Sequence, residues 1–324
     1  MNILTLAVKL QVIILFSRGK EYKMKLKGIL LFLIFTIVTV LTGCDNPLLV
    51  LDPKGPVAEE QSNVIKLSMW TMAGVVLVVI VLYAFMLTKY RASKSSADYE
   101  PPHIEGNKYL EALWIGIPII IVAFLGWVTV GSLDKVENEQ TGYTEDKLTI
   151  YAVSSNFKWH FSYPEEDIET VNYLNIPTDR PLEFKLYSYG PISSLWIPQL
   201  GGQKYAMSDM VNTLHLAADV PGAYMGRNAN FSGEGFAHME FEALAMPPAE
   251  YEEWVKDVKA TADELTEDKF NELLEADHVG RSTFNGTHLD FAPAPTGHNH
   301  GTDDSEDGPK EDNEDHEEHE HDHK

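Results

Sequence analysis

Cysteine is almost absent. The 324 residues hold one, Cys44, so no disulfide can form within the chain and no spaced-cysteine zinc framework is available. Basic residues are also scarce. Lys and Arg number 25 against 49 Asp and Glu, a formal net charge of −24. That balance excludes nucleic-acid binding, which needs cations to displace counterions from phosphate. Apolar residues are plentiful but unevenly placed. They form near-continuous runs in the N-terminal third, and the remainder is mixed and acidic. The distribution predicts a membrane protein with a soluble domain.

The first apolar run centres on Val12-Ile13-Ile14-Leu15-Phe16 and closes at Arg18 and Lys20. A second start stands at Met24. Lys25 and Lys27 follow it, then an apolar core from Gly28 to Val40, then Leu41-Thr42-Gly43-Cys44. This is the layout of a secretory signal. Its end resembles the bacterial lipobox, which implies that the Cys44 sulfur takes a diacylglycerol and that cleavage makes Cys44 the first mature residue. Residues 1–43 are then a signal peptide with its true start at Met24, and 44–62 a lipidated segment. The alternative is an ordinary cysteine at the end of an uncleaved helix.

Two further runs, Leu67 to Leu87 and Leu113 to Val130, have spanning length and carry Trp and Tyr near their ends. They predict a transmembrane helical hairpin over 63–133. Pro118 is tolerable inside the second, because neighbouring helices can satisfy the freed carbonyl. The link between them bears Lys89, Arg91, Lys94 and Lys108, which by the positive-inside rule makes it cytoplasmic. Cys44 and the C-terminal part then face outward.

From Lys147 the texture changes to short alternating segments, at 147–153, 181–187 and 213–217, punctuated by Pro and Gly. This predicts a β-sandwich of Greek-key type over 134–248. After Met246-Pro247-Pro248, residues 249–276 read as one or two amphipathic helices, with Thr266 a candidate cap for the second. They belong to a helical extension over 249–291. A disordered tail rich in His and acidic residues follows over 292–324, with too little apolar surface to offset chain entropy. Its histidines suit copper or zinc, although a solvated acidic tail is the simpler reading.

The most telling stretch runs from Ser193-Ser194-Leu195-Trp196-Ile197-Pro198 to Asn230-Phe231-Ser232-Gly233-Glu234-Gly235-Phe236-Ala237-His238-Met239-Glu240-Phe241. It resembles the copper-binding half of subunit II of the haem-copper respiratory oxidases. The resemblance turns the sandwich into a cupredoxin barrel. In cytochrome c-oxidising members that half carries an upstream His, then Cys-x3-Cys-x3-His-x2-Met. On that pattern the upstream His falls on Ser193, the two Cys on Asn230 and Glu234, and the Met on Phe241. Only His238 matches. A dinuclear copper relay needs bridging thiolates, and Cys44 lies far away in sequence. The ordinary reading of His238 is a half-exposed residue at a strand rim. Phe157-Lys158-Trp159-His160-Phe161 resembles an early family signature, in which Phe157 stands where copper-containing members place the tryptophan that receives electrons from cytochrome c. Plain core and interface packing is the simpler reading of these aromatics.

Glu111, three residues before Trp114 in Gly106-Asn107-Lys108-Tyr109-Leu110-Glu111, resembles a family glutamate at the mouth of the proton channel into subunit I. The competing reading is a carboxylate stabilised by a helix N-terminus.

The resemblance is to the quinol-oxidising branch, whose members carry a C-terminal addition like 249–291. It implies a subunit of a proton-pumping oxidase that oxidises membrane quinol and reduces oxygen to water. On this reading the chain is structural and itself binds no metal or cofactor. Haems and copper sit in subunit I, and the partners are subunit I, further subunits, the lipid bilayer and, through the complex, quinol. Cytochrome c is not a partner. Two alternatives stand: a cytochrome c oxidase subunit II with an atypical copper site, and a lipoprotein that sequesters metal through its tail.

Overall fold

A computed structural model describes residues 48–91 and 106–296. Met24, Cys44, Lys94 and the tail beyond residue 296 lie outside the described residues.

Both spanning runs form helices longer than the runs themselves, α1 over Pro56–Lys89 and α2 over Lys108–Glu137. At 1.5 Å per residue they reach about 50 and about 45 Å, more than a hydrocarbon core of roughly 30 Å requires. Pro56 opens α1 where its missing N–H costs nothing. The preceding Gly55 is demanded by space, since a Cβ there would lie 2.0 Å from the Ala217 carbonyl oxygen. α2 starts at Asn107, whose side-chain oxygen accepts from the N–H groups of Tyr109 at 2.9 Å and Leu110 at 3.3 Å. Pro118 sits inside α2 without ending it. The apolar side chains of both helices point outward, so they present an apolar surface of the kind lipid or a partner covers. Glu60 near the start of α1 ties it to the end of α2, accepting from Ser132 Oγ at 2.7 Å and Lys135 Nζ at 3.1 Å.

The rest is mainly strands: β1 (Leu148–Ser155), β2 (Lys158–Tyr163), β3 (Ile168–Val171), β4 (Tyr173–Pro177), β5 (Pro181–Ser188), β6 (Ser193–Ile197), β7 (Gly201–Ala206), β8 (Asn212–Ala217), β9 (Gly222–Asn228), β10 (Glu240–Met246) and β11 (Ser282–Asn285). One sheet has the order β11-β3-β2-β1-β5-β8, the other β4-β10-β9-β6-β7. β1 pairs parallel with β5, and β4 with β10, so strands distant in sequence lie side by side; the other strand pairs are antiparallel. The three alternating segments of the sequence fall on β1, β5 and β8. The architecture is the predicted one, a two-helix anchor with a cupredoxin-like sandwich.

Alternation along each strand decides what fills the space between the sheets. Leu148, Ile150, Trp159, Phe161, Phe184 and Leu186 from the first sheet meet Leu195, Ile197, Phe241 and Ala243 from the second. The rings of Phe161 and Phe241 pack 4.9 Å apart. The other side of β2 carries Lys158, His160 and Ser162, and these are buried as well. The C-terminal extension covers them.

That extension comprises α3 (Pro248–Thr261), α4 (Glu267–Glu275), β11 and a short 3-10 turn, His288–Asp290. Thr266 caps α4 as expected, its Oγ1 accepting from the Lys269 N–H at 3.3 Å. The extension is not purely helical: β11 joins the edge of the six-stranded sheet against β3. Phe270, Leu273 and Phe284 build a second, smaller core with Val171 and Leu265.

Candidate functional site

The residues laid on the copper-ligand pattern gather around the loop between β9 and β10, but their side chains do not converge. Ser193 opens β6 and is buried, its hydroxyl donating to the Pro191 carbonyl at 3.3 Å. Asn230 donates its amide to the Ile192 carbonyl at 2.8 Å. Glu234 and His238 are exposed at the two ends of a 3-10 turn, Glu234–His238, so His238 sits on a turn rather than on a strand rim. Its ring meets His278 of the extension, with centroids 5.0 Å apart. Phe241 points the opposite way, into the core against Phe161 and Trp159.

The loop is held by an amide. Asn228, at the end of β9 and 3% exposed, accepts at Oδ1 from the N–H groups of Ser194 at 2.8 Å and Asn230 at 3.0 Å. Its Nδ2 donates to Ser232 Oγ at 3.0 Å and to Met239 Sδ at 3.3 Å. Its own N–H donates to the Met239 carbonyl at 3.0 Å. Each polar atom of the side chain is therefore used, which a buried amide requires. One side chain ties β6 to both ends of the loop. Phe157 closes the loop from below, and its ring leaves no room for a side chain at Gly235, where a Cβ would come within 2.1 Å. No sequence motif marks Asn228; it lies two residues before Asn230, where the pattern places its first Cys.

This donor set does not fit a dinuclear copper centre. Such a centre needs soft bridging sulfur, and the positions offer a hydroxyl, an amide, a carboxylate, one outward-facing imidazole and a phenyl ring. Among the described residues, no group of three or more His, Cys, Asp or Glu side chains is arranged to hold a metal ion.

Glu111 lies in the first turn of α2, exposed, with its N–H donating to the Asn107 carbonyl at 2.9 Å. Its carboxylate folds back over Gly106, where a Cβ would stand 2.7 Å from Oε1. The partial positive charge of a helix N-terminus favours a carboxylate there.

Two apolar helices of spanning length followed by a cupredoxin-like domain match the arrangement expected from the resemblance to subunit II of the haem-copper oxidases. Comparison with known proteins names the branch. No protein-family model matches the chain. A quinol oxidase subunit 2 of Bacillus subtilis (strain 168) is 49% identical over 270 residues, which cover 82% of this chain and 83% of that protein. The quinol oxidase subunit 2 of Bacillus cereus (strain ATCC 10987 / NRS 248) is 48% identical over 257 residues, 79% of this chain and 88% of that one. A probable quinol oxidase subunit 2 of Staphylococcus aureus (strain USA300) is 42% identical over 263 residues, covering 81% and 70%. Among solved structures, the periplasmic domain of subunit II of cytochrome oxidase from Bradyrhizobium japonicum aligns with a TM-score of 0.34 and 18% identity, over 36% of this chain and 96% of that one. The chain belongs to the quinol oxidase subunit 2 family and is a subunit of an oxidoreductase complex of the membrane.

Proposed function

We propose that this chain is the structural subunit II of a haem-copper quinol oxidase, and that it carries no copper of its own. Quinol reaches the complex from within the bilayer, so electrons can enter subunit I, with its haems and copper, without crossing the outer domain. The observation that carries this reading is the loop between β9 and β10, which the buried amide of Asn228 holds together and whose pattern positions supply no thiolate. The hairpin packs on subunit I, the domain over 134–248 covers that subunit's outer face, and a diacylglycerol on Cys44 fixes the N-terminal side outside the cell. Glu111, at the cytoplasmic foot of α2, admits protons toward subunit I.

Metal analysis of the purified complex tests the copper claim. The expected copper is that of the oxygen-reducing centre alone, with no near-infrared band from a dinuclear site. Two additional coppers per complex, or rapid oxidation of a soluble cytochrome c, would refute it. For Glu111, the Glu111→Ala complex is expected to turn over more slowly, with less proton uptake from the cytoplasmic side. Unchanged turnover and uptake would remove that role.

A further inference from the structure

The outer face of the six-stranded sheet, beneath the extension, holds a row of buried polar groups that neither the loop nor the anchor uses. Tyr187 on β5 is 0% exposed, and its hydroxyl lies 2.6 Å from His288 Nε2. His288 is equally buried, its ring stacked on Phe270 at 4.7 Å and 3°. On its far side His288 Nδ1 lies 2.7 Å from Glu169 Oε2, and the His288 backbone N–H donates to the same oxygen at 2.9 Å. Ser162 Oγ donates there too, at 2.8 Å.

An oxygen that collects three donors belongs to an ionised carboxylate. Burial alone would raise the Glu169 carboxyl, but the imidazoles of His160 and His288 beside it hold it well below the usual carboxylate range. The network therefore assigns the Nδ1 proton of His288 to the Glu169 side and leaves the Nε2 lone pair facing the phenol. Tyr163 and Tyr224 are buried as well, yet their hydroxyls donate to the backbone carbonyls of Asn175 and Val220, which cannot take a proton. Tyr187 faces a base.

We propose that Tyr187 is a redox-active tyrosine, which gives up one electron while its phenolic proton passes to His288. The O–H bond of Tyr187 breaks and an N–H bond forms at His288 Nε2. The products are a neutral phenoxyl radical and an imidazolium paired with the Glu169 carboxylate. The electron goes to a high-potential one-electron oxidant of the reactive-oxygen class, which incomplete oxygen reduction releases. A reductant of the quinol or thiol class returns one electron, and the proton goes back along the same bond.

The physical case rests on charge. Burial pushes the Tyr187 phenol upward, so simple proton loss is closed to it. Removing an electron alone would leave a cation radical in apolar surroundings, which is costly. Proton transfer over 2.6 Å to an imidazole already paired with a carboxylate avoids both penalties. Tyr189, 40% exposed, lies 5.5 Å from the Tyr187 ring between centroids and links it to the surface.

The test uses the purified complex, a photoexcited ruthenium polypyridyl with persulfate as the oxidant, and freeze-quench electron paramagnetic resonance. The wild type is expected to give a tyrosyl signal that Tyr187→Phe removes while quinol turnover stays normal. An unchanged signal in Tyr187→Phe overturns the proposal. His288→Gln keeps a polar partner but removes the base, and should slow radical formation roughly a hundredfold, the lower end of what a positioned proton acceptor supplies. Equal rates in that variant would also overturn it. Should His288→Gln fail to assemble, the wild type decides: slower formation in heavy water supports the coupled step, and identical rates in light and heavy water refute it.

Discussion

The two ends of the outer domain's polar chemistry are built on opposite plans. At the loop between β9 and β10 the buried hub is a neutral amide and the surface is near: Asn228 is satisfied by hydroxyl, thioether and backbone, while Glu234 and His238 face solvent. Under the C-terminal extension the groups are ionisable and sealed, with His160, Glu169 and His288 all 0% exposed. An uncharged hub can lose a partner and recruit water, at the ordinary cost of a hydrogen bond. A buried carboxylate cannot, because its desolvation is repaid only by the donors around it. The sealed face should therefore be the more brittle of the two.

The largest effect is expected from Glu169→Ala. It leaves the His288 ring, the His288 N–H and Ser162 without their shared acceptor. Breaking one partner of a buried charged set costs about 3–5 kcal/mol. Hydrogen exchange in the purified complex should show 282–291 opening together. Protection equal to wild type would mean that the extension is held by its apolar core alone. Asn228→Ala should cost less, about 1–3 kcal/mol, the penalty for stranding buried partners. Its faster exchange should be confined to the loop and the start of β6. Loss of protection across both sheets would erase the contrast.

Much of this was legible in the sequence, for definite reasons. Long apolar runs have few alternatives to membrane helices, and β1, β5 and β8 announce themselves by alternation. The five pattern positions could be found because a resemblance supplied their spacing. Asn228 could not, since an amide hub is defined by partners at Ser194, Asn230, Ser232 and Met239 that only the folded loop brings together. β11 was hidden because Ser282-Thr283-Phe284-Asn285 is too short to show a period. The Glu169–His288 pair spans 119 residues and one sheet edge. Nothing in the sequence sets Lys158 and His160 apart as interior residues. They are buried because the extension lies over them: His160 packs edge-on against Phe270 at 5.5 Å, and Lys158 Nζ donates to the Ala276 carbonyl at the end of α4.

His160 offers the gentlest way to sharpen the comparison, through pH alone. Burial pushes its imidazole down, against the opposing pull of Glu169, and the charge of Lys158 adds to the depression. Its Nε2 lies 2.9 Å from Ser155 Oγ, and Glu169 Oε1 stands 3.4 Å from its Nδ1. The folded state therefore takes up a proton less readily than the unfolded chain, whose histidines titrate near about 6.5. Stability from this group is complete above that value and is lost as pH falls through it, because the unfolded state then binds the extra proton. One such proton is worth about 1 kcal/mol between pH 7 and pH 5.5. Glu169, held low, adds nothing until the pH falls to the range where ordinary carboxylates protonate, about 4. Exchange rates under the extension should therefore rise as pH drops from 7 to 5.5, after correction for intrinsic rates, while those around Asn228 stay level. His160→Asn, which cannot titrate, should flatten the first dependence; a slope that survives this change would place the titrating group elsewhere.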